Sequence, residues 1–154
     1  MPKKKVDVLL ITLTSPILVG IYEDKKLMDT IESEEKSSDV LPLIFRDILK
    51  KYDIQTLLYA NGPGSFMAIK VAYVFLKSLS VLKKIPMLAR DAFYFNENQP
   101  IKAIGKLCFV KIVSEIETQK FETVPTTVFT LPDELDYNEF STNTTPLYKI
   151  GAVG

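Results

Sequence analysis

Asn61-Gly62-Pro63-Gly64-Ser65-Phe66-Met67-Ala68-Ile69-Lys70 joins a short strand-like run, Thr56 to Ala60, to a long apolar helix. Gly62 and Gly64 flank Pro63, so the backbone can turn tightly with its amides unblocked by side chains. Ser65 stands at the N-cap position, at the positive end of the helix dipole. Such a strand–glycine loop–helix junction can cradle an anion. A capped tight turn explains the same residues without a ligand. The spacing is neither that of a Walker A loop nor G-x-G-x-x-G.

Working outward, Val6 to Leu13, Ile17 to Tyr22 and Leu27 to Glu32 read as three short-looped strands, an antiparallel meander. Ser37, Ser38 and Asp39 offer caps for a helix from about Val40 to Tyr52. Thr56 to Ala60 is the fourth strand, Ser65 to Leu82 the second helix, and Pro86 to Ala89 the fifth strand. The order βββαβαβ is that of half an actin-like or ribonuclease-H-like α/β domain with a mixed sheet. Residues 1–90 are therefore expected to form an actin-like N-lobe. Residues 91–154 are too few for a second lobe of equal size and are expected to form a reduced one. Within them Asp91 to Phe95 reads as a short turn capped by Asp91, Asn96 to Pro100 as a polar loop, and Ala103 to Ile112 and Phe121 to Val128 as strands. Leu131 to Thr145 is polar and irregular.

Composition removes whole classes of chemistry. The 154 residues contain no histidine, one cysteine and 19 side chains of each charge. Without histidine there is no Ser-His-Asp or Cys-His nucleophile system and no His-ligated zinc. A lone Cys108 cannot make an internal disulfide and fits a reducing compartment; beside Phe109 it reads as a small buried hydrophobe. The zero net charge predicts no tight independent binding to nucleic acid. Lys50-Lys51 and Lys83-Lys84 fall at helix ends, where they complement the dipole; contact with tRNA is the weaker reading. Lys3, Lys4 and Lys5 could mimic a signal peptide, but Asp7 breaks the apolar run and no cleavage pattern follows. No stretch approaches a membrane span of about 20 residues. A cytoplasmic protein without catalytic or metal-binding residues and without a cofactor is expected.

The two helices carry more apolar surface than half a two-layer domain needs. In the second, only Lys70 and Lys77 are charged, and they share one side. Val71, Phe75, Leu82, Ala68, Leu79 and Ala72 lie opposite and are expected to face the sheet. Ile69, Tyr73, Leu76, Val74 and Val81 flank the lysines. In the first helix Leu41, Ile44, Phe45, Ile48, Leu49 and Tyr52 form one stripe, with Val40 and Leu43 outside it. Either the tail folds over this surface or a protein partner covers it.

The loop and its surroundings resemble the TsaB family, also called YeaZ. Members continue the loop as GPGSFTG(L/V)RIG; here it continues Met67-Ala68-Ile69-Lys70-Val71-Ala72. Ser37-Ser38-Asp39-Val40-Leu41-Pro42 is similar to the family's polar cap before a leucine-leucine-proline helix start. Pro86-Met87 matches the strand after the long helix, and Pro146-Leu147-Tyr148-Lys149 resembles the P-x-Y-x-R signature. The match covers about Val6 to Arg90. Thr12-Leu13-Thr14-Ser15 replaces the usual Asp-Thr-Ser or Asp-Thr-Ala, and Ala103-Ile104-Gly105-Lys106-Leu107 replaces a motif around Asp-Ala-Arg. The aspartate that holds a metal–nucleotide complex in a working actin-like ATPase is absent there.

The resemblance implies a divergent, shortened, non-catalytic subunit of the bacterial complex that makes threonylcarbamoyladenosine in tRNA. Such a subunit pairs with TsaD, the subunit that transfers the threonylcarbamoyl group and holds its metal on histidines, and the ATPase TsaE joins them. The pairing runs through a bundle of N-lobe helices, which would use the surplus apolar surface. The partner-binding residues it implies are Leu41, Ile44, Ile48, Ile69, Lys70, Tyr73, Leu76 and Lys77. Gly62, Gly64 and Ser65 are then a vestigial nucleotide-binding set, and tRNA is met only through the complex. The other readings are a homodimeric interaction module and a weak nucleotide-binding or hydrolysing enzyme of the actin-like superfamily.

Overall fold

The computed structural model describes residues 2–148. Lys4–Ile11 (β1), Ile17–Glu23 (β2) and Lys26–Ser33 (β3) form the meander; Ser37–Lys51 is α1, Tyr52–Ala60 β4, Phe66–Lys83 α2 and Met87–Arg90 β5. The sheet order is β3-β2-β1-β4-β5. β1–β2 and β2–β3 pair antiparallel, while β1–β4 and β4–β5 pair parallel. The antiparallel pairs need only tight turns, whereas each parallel step needs a crossover, supplied by α1 and α2.

Both faces of this sheet are covered, which explains the unbroken run Val8-Leu9-Leu10-Ile11. With the strand period of two, Val6, Val8 and Leu10 of β1 and Leu57 and Tyr59 of β4 join the helix-side core. Leu9, Ile11, Leu58 and Ala60 point the other way, into a second core with Phe93, Phe95, Ile101, Phe109, Phe129 and Leu131. The chain beyond β5 builds that second layer. It begins with a 3-10 turn, Ala92–Phe95, on which the Asp91 carboxylate accepts from Phe93 N at 3.0 Å. Ile101–Lys102 (β6), Leu107–Ile112 (β7) and Glu115–Lys120 (β8) follow as a small antiparallel sheet.

Residues 121–148 then return as a strap across the second face. Leu27 N donates to Asp133 O at 2.8 Å at the β3 edge, and Ala89 exchanges two bonds with Ser141 at the β5 edge. The strap thereby pairs one edge strand and pins the end of the other. Two expectations fail here. Phe121 to Val128 is not a strand; the pairing segment is Glu115–Lys120, polar and exposed along one edge and so without an apolar signal. The strand expected from Ala103 starts only at Leu107, because Gly105, at φ +57°, reverses the chain after β6. The irregular tract after Leu131 is not merely polar, since Leu131 and Leu135 anchor it in the second core.

The helices also depart from the sequence pattern. α1 starts at Ser37 with Lys36 as N-cap and no side-chain cap, so Ser37, Ser38 and Asp39 fill the first turn instead of preceding it. Asp39 still complements the dipole. On α2 the buried residues are Ile69, Ala72 and Leu76, while Leu82 is 79% exposed. The expected sheet-facing stripe is thus rotated by about a quarter turn. The reason is that α2 touches two things. Its Ile69–Leu76 side meets the sheet and its Phe75 side meets α1, where Phe75 and Phe45 rings lie 5.2 Å apart. The side opposite Lys70 and Lys77 bisects those contacts.

Candidate functional site

The loop after β4 is locked from three directions. Asn61 N donates to Arg90 O, Ala92 N donates to Gly62 O, and Leu147 N donates to Asn61 O at 2.7 Å. Asn61 Nδ2 donates to Thr145 O, and the Tyr59 hydroxyl to Thr144 O. Burial pushes the Tyr59 hydroxyl well above the ordinary phenol range, so it stays protonated and keeps its proton for this bond. The Phe66 and Tyr148 rings, centroids 4.6 Å apart, close the strap over the start of α2. Pro146, Leu147 and Tyr148 therefore serve as a clasp; Lys149 lies outside the described residues.

Gly62, at φ +109°, occupies backbone space that favours glycine, and Leu147 O and Ile69 Cδ1 stand where a Cβ would go. Gly64 and Ser65 face elsewhere, onto a cleft of about 270 Å³ shared with Leu13, Thr14, Ile101 and Lys102. The three glycine-loop residues thus do not converge on one space. Ser65 Oγ accepts a long 3.5 Å bond from Ala68 N, the capping role. Thr12, at the strand end, spends its hydroxyl on Ala68 O at 3.1 Å.

Other chemically capable groups are engaged. Besides its cap, Asp91 pairs with Lys111 at 2.7 Å and lies 3.5 Å from Arg90 Nε, and Arg90 reaches Glu139 at 2.9 Å. This cross-brace between the two layers was not visible in the sequence, because its members come from three separated segments. Among the described residues no group of three metal-ligating side chains occurs. Cys108 is buried, and burial raises its thiol pKa against the smaller opposing pull of Lys102. A raised pKa lowers the thiolate fraction at neutral pH. Cys108 should therefore stay unmodified by an aromatic disulfide reagent at pH 8 in the folded protein and react fully on denaturation. Rapid labelling without denaturant would contradict its buried placement.

The eight residues expected to bind a partner divide. Leu41, Ile48, Ile69 and Leu76 are buried in the chain's own cores, Ile44 and Tyr73 are half-buried, and Lys70 and Lys77 are exposed. Ile48, Ile69 and Leu76 are thus core residues rather than surface contacts, because they lie on the sheet side of their helices. What remains open is a groove of about 440 Å³ between the N-terminal halves of α1 and α2. Leu41 and Pro42 line it from α1; Met67, Lys70, Val71, Val74 and Phe75 line it from α2. Leu43, Val81 and Leu82 extend the exposed apolar surface of the two helices. Among the described residues the tail covers the opposite face of the sheet and leaves this groove uncovered.

No family model matches the sequence, and no curated protein matches it. Solved structures do. One titled YeaZ from Pseudomonas aeruginosa superposes with a TM-score of 0.58 over 82% of this chain at 14% identity. This chain has a YeaZ-like fold. A second structure, titled an uncharacterized protein with similarity to peptidase YEAZ from Pseudomonas aeruginosa, gives a TM-score of 0.53 over 76% of the chain at 16% identity. The chain spans 67% and 64% of the lengths of these YeaZ-like structures. At such identities the likeness is one of fold.

Proposed function

We propose that this chain is a TsaB-like, non-catalytic subunit of a bacterial complex that forms threonylcarbamoyladenosine in tRNA. In this reading residues 1–90 are the actin-like N-lobe and the layer from residue 91 is the reduced second lobe. The observation that carries it is the uncovered groove between α1 and α2 on a YeaZ-like fold. Exposed apolar grooves of this kind mark protein interfaces. A TsaD-like subunit occupies it through its own helices, and a TsaE-like ATPase joins the pair. Met67, Val71, Val74 and Phe75 supply apolar contact, and Lys70 and Lys77 lie at the rim. The cytoplasm is the compartment that fits, and no helix among the described residues is long and apolar enough to cross a membrane.

Catalysis belongs to the partner in this assignment. The chain has no histidine, and its buried Asp7 sits within β1 next to the Tyr137–Thr56 hydroxyl pair rather than at a phosphate loop. Depletion of the protein should therefore lower threonylcarbamoyladenosine in total tRNA by most of its normal amount while threonine supply is unchanged. Mass spectrometry of digested tRNA reads this directly. Full modification after complete depletion would sink the assignment.

A further inference from the structure

The fold brings together lysines that are far apart in the chain. Lys3 and Lys5, at the start of β1, and Lys83 and Lys84, at the end of α2, line one depression of about 750 Å³ beneath the C-terminal ends of both helices. Its floor includes the buried Ile54 and Ile85, and Asp53 is the one carboxylate lining it. Among the described residues none of these four lysines is in an ion pair. Lys3 Nζ donates to Leu49 O at 2.7 Å.

Lysines at helix C-termini often do no more than offset the dipole. That accounts for Lys83 and for Lys3 on the α1 carbonyl, but not for Lys5 on a strand. It does not account for Lys84 either, which holds the left-handed cap position at φ +57°, where glycine is the unstrained choice. Lys84 N and Ile85 N both donate to Ser80 O, so the strained turn fixes the Lys83-Lys84 pair at the rim. The two helix ends subtract about half a charge each, and with Asp53 they leave the depression positive by about two charges.

We propose that this depression is a docking site for the phosphodiester backbone of RNA. The choice of RNA rests on the tRNA-modification role proposed above; the positive, concave site does not. A membrane surface fits less well, because the apolar residues form the floor of a concavity and cannot reach into lipid. The site lies at the far end of the helices from the protein-docking groove, about 15 Å along α2 from Val74 to Lys84. One subunit can thus hold its protein partner and RNA together. The zero net charge confines the attraction to this pole, so binding is weak and salt-sensitive.

The test is fluorescence anisotropy of an unmodified tRNA transcript with the full chain between about 50 and 200 mM salt. The expected slope of log K against log salt is about −3, as for three to four neutralised phosphates. The triple variant K5E/K83E/K84E should bind at least tenfold more weakly at low salt and flatten the slope, while staying folded with a melting temperature only a few degrees lower, since all three side chains are exposed and only the helix-end interaction of α2 is lost. The charge-matched variant K36E/K106E/K120E, on other surfaces, should bind nearly as the parent does. Equal loss in both triples, or no tRNA binding at low salt, overturns the proposal. Binding to phosphatidylserine vesicles without binding to tRNA overturns it in favour of a membrane. The measurement needs no protein partner, so a groove variant that leaves partner capture unchanged sinks the subunit reading and leaves this result standing.

Discussion

Replacing Val74 by glutamate is expected to leave the isolated chain folded and to abolish capture of a TsaD-like partner, whereas Leu76→Glu unfolds it. The two residues are neighbours on α2 with opposite surroundings. Val74 is 53% exposed and lines the open groove. Leu76 is 0% exposed and packs in the helix-side core. A glutamate at position 74 remains solvated in the free chain, so the fold should lose no more than about 0.5 kcal/mol. In a docked complex the same carboxylate is desolvated, and Lys70 and Lys77, one turn away on either side, offset this only in part, so the cost is about 2 kcal/mol and hence about thirtyfold in affinity. At position 76 the charge enters the core and costs more than about 4 kcal/mol of stability. Thermal melts and size-exclusion profiles with and without the partner separate the outcomes. Partner binding by Val74→Glu at parental strength would remove the groove from the interface. Tyr73 and Phe75 make poorer probes, since both are half-buried and pack on Tyr59 and Phe45 respectively.

The second large effect is expected at Gly62. A Cβ there would lie 2.8 Å from Ile69 Cδ1 and 3.0 Å from Leu147 O, and the φ of +109° is itself unfavourable for any side chain. Ile69 is buried and cannot swing away, and Leu147 O belongs to the clasp backbone. Gly62→Ala should therefore cost about 2–4 kcal/mol and loosen the strap as well. Gly64→Ala makes its nearest contact at 3.1 Å, with a Leu13 methyl that can yield, and should cost about 1 kcal/mol or less. Gly105→Ala meets no neighbour within 4 Å and carries only the backbone penalty of φ +57°, about 1 kcal/mol. Chemical denaturation of the three variants should rank Gly62→Ala as the most destabilised by a clear margin. Equal losses at Gly62 and Gly64 would mean that the loop is not clamped by the clasp.

By itself the sequence determined the succession of the first seven elements, because each is written locally. Thr14-Ser15-Pro16 and Glu23-Asp24-Lys25 forbid helices between the first strands, Gly62-Pro63-Gly64 stops β4, and Ser65 starts α2 where its hydroxyl can cap. The missing histidines were equally plain and removed imidazole chemistry from any account of this chain. Which side of α2 faces inward was not legible, because a helix apolar nearly all round carries little directional signal and two lysines point away from two neighbours at once. Nor was the course of residues 121–148, whose hold on the sheet comes from backbone groups of Asp133, Ser141 and Thr144 that any sequence would offer. The charge balance summed to zero along the chain, yet folding placed Lys3, Lys5, Lys83 and Lys84 around one depression. Sequence records how many charges there are. Only the crossovers that return α2 to the start of β1 decide where they meet, because Coulomb interaction depends on distance in space and not along the chain.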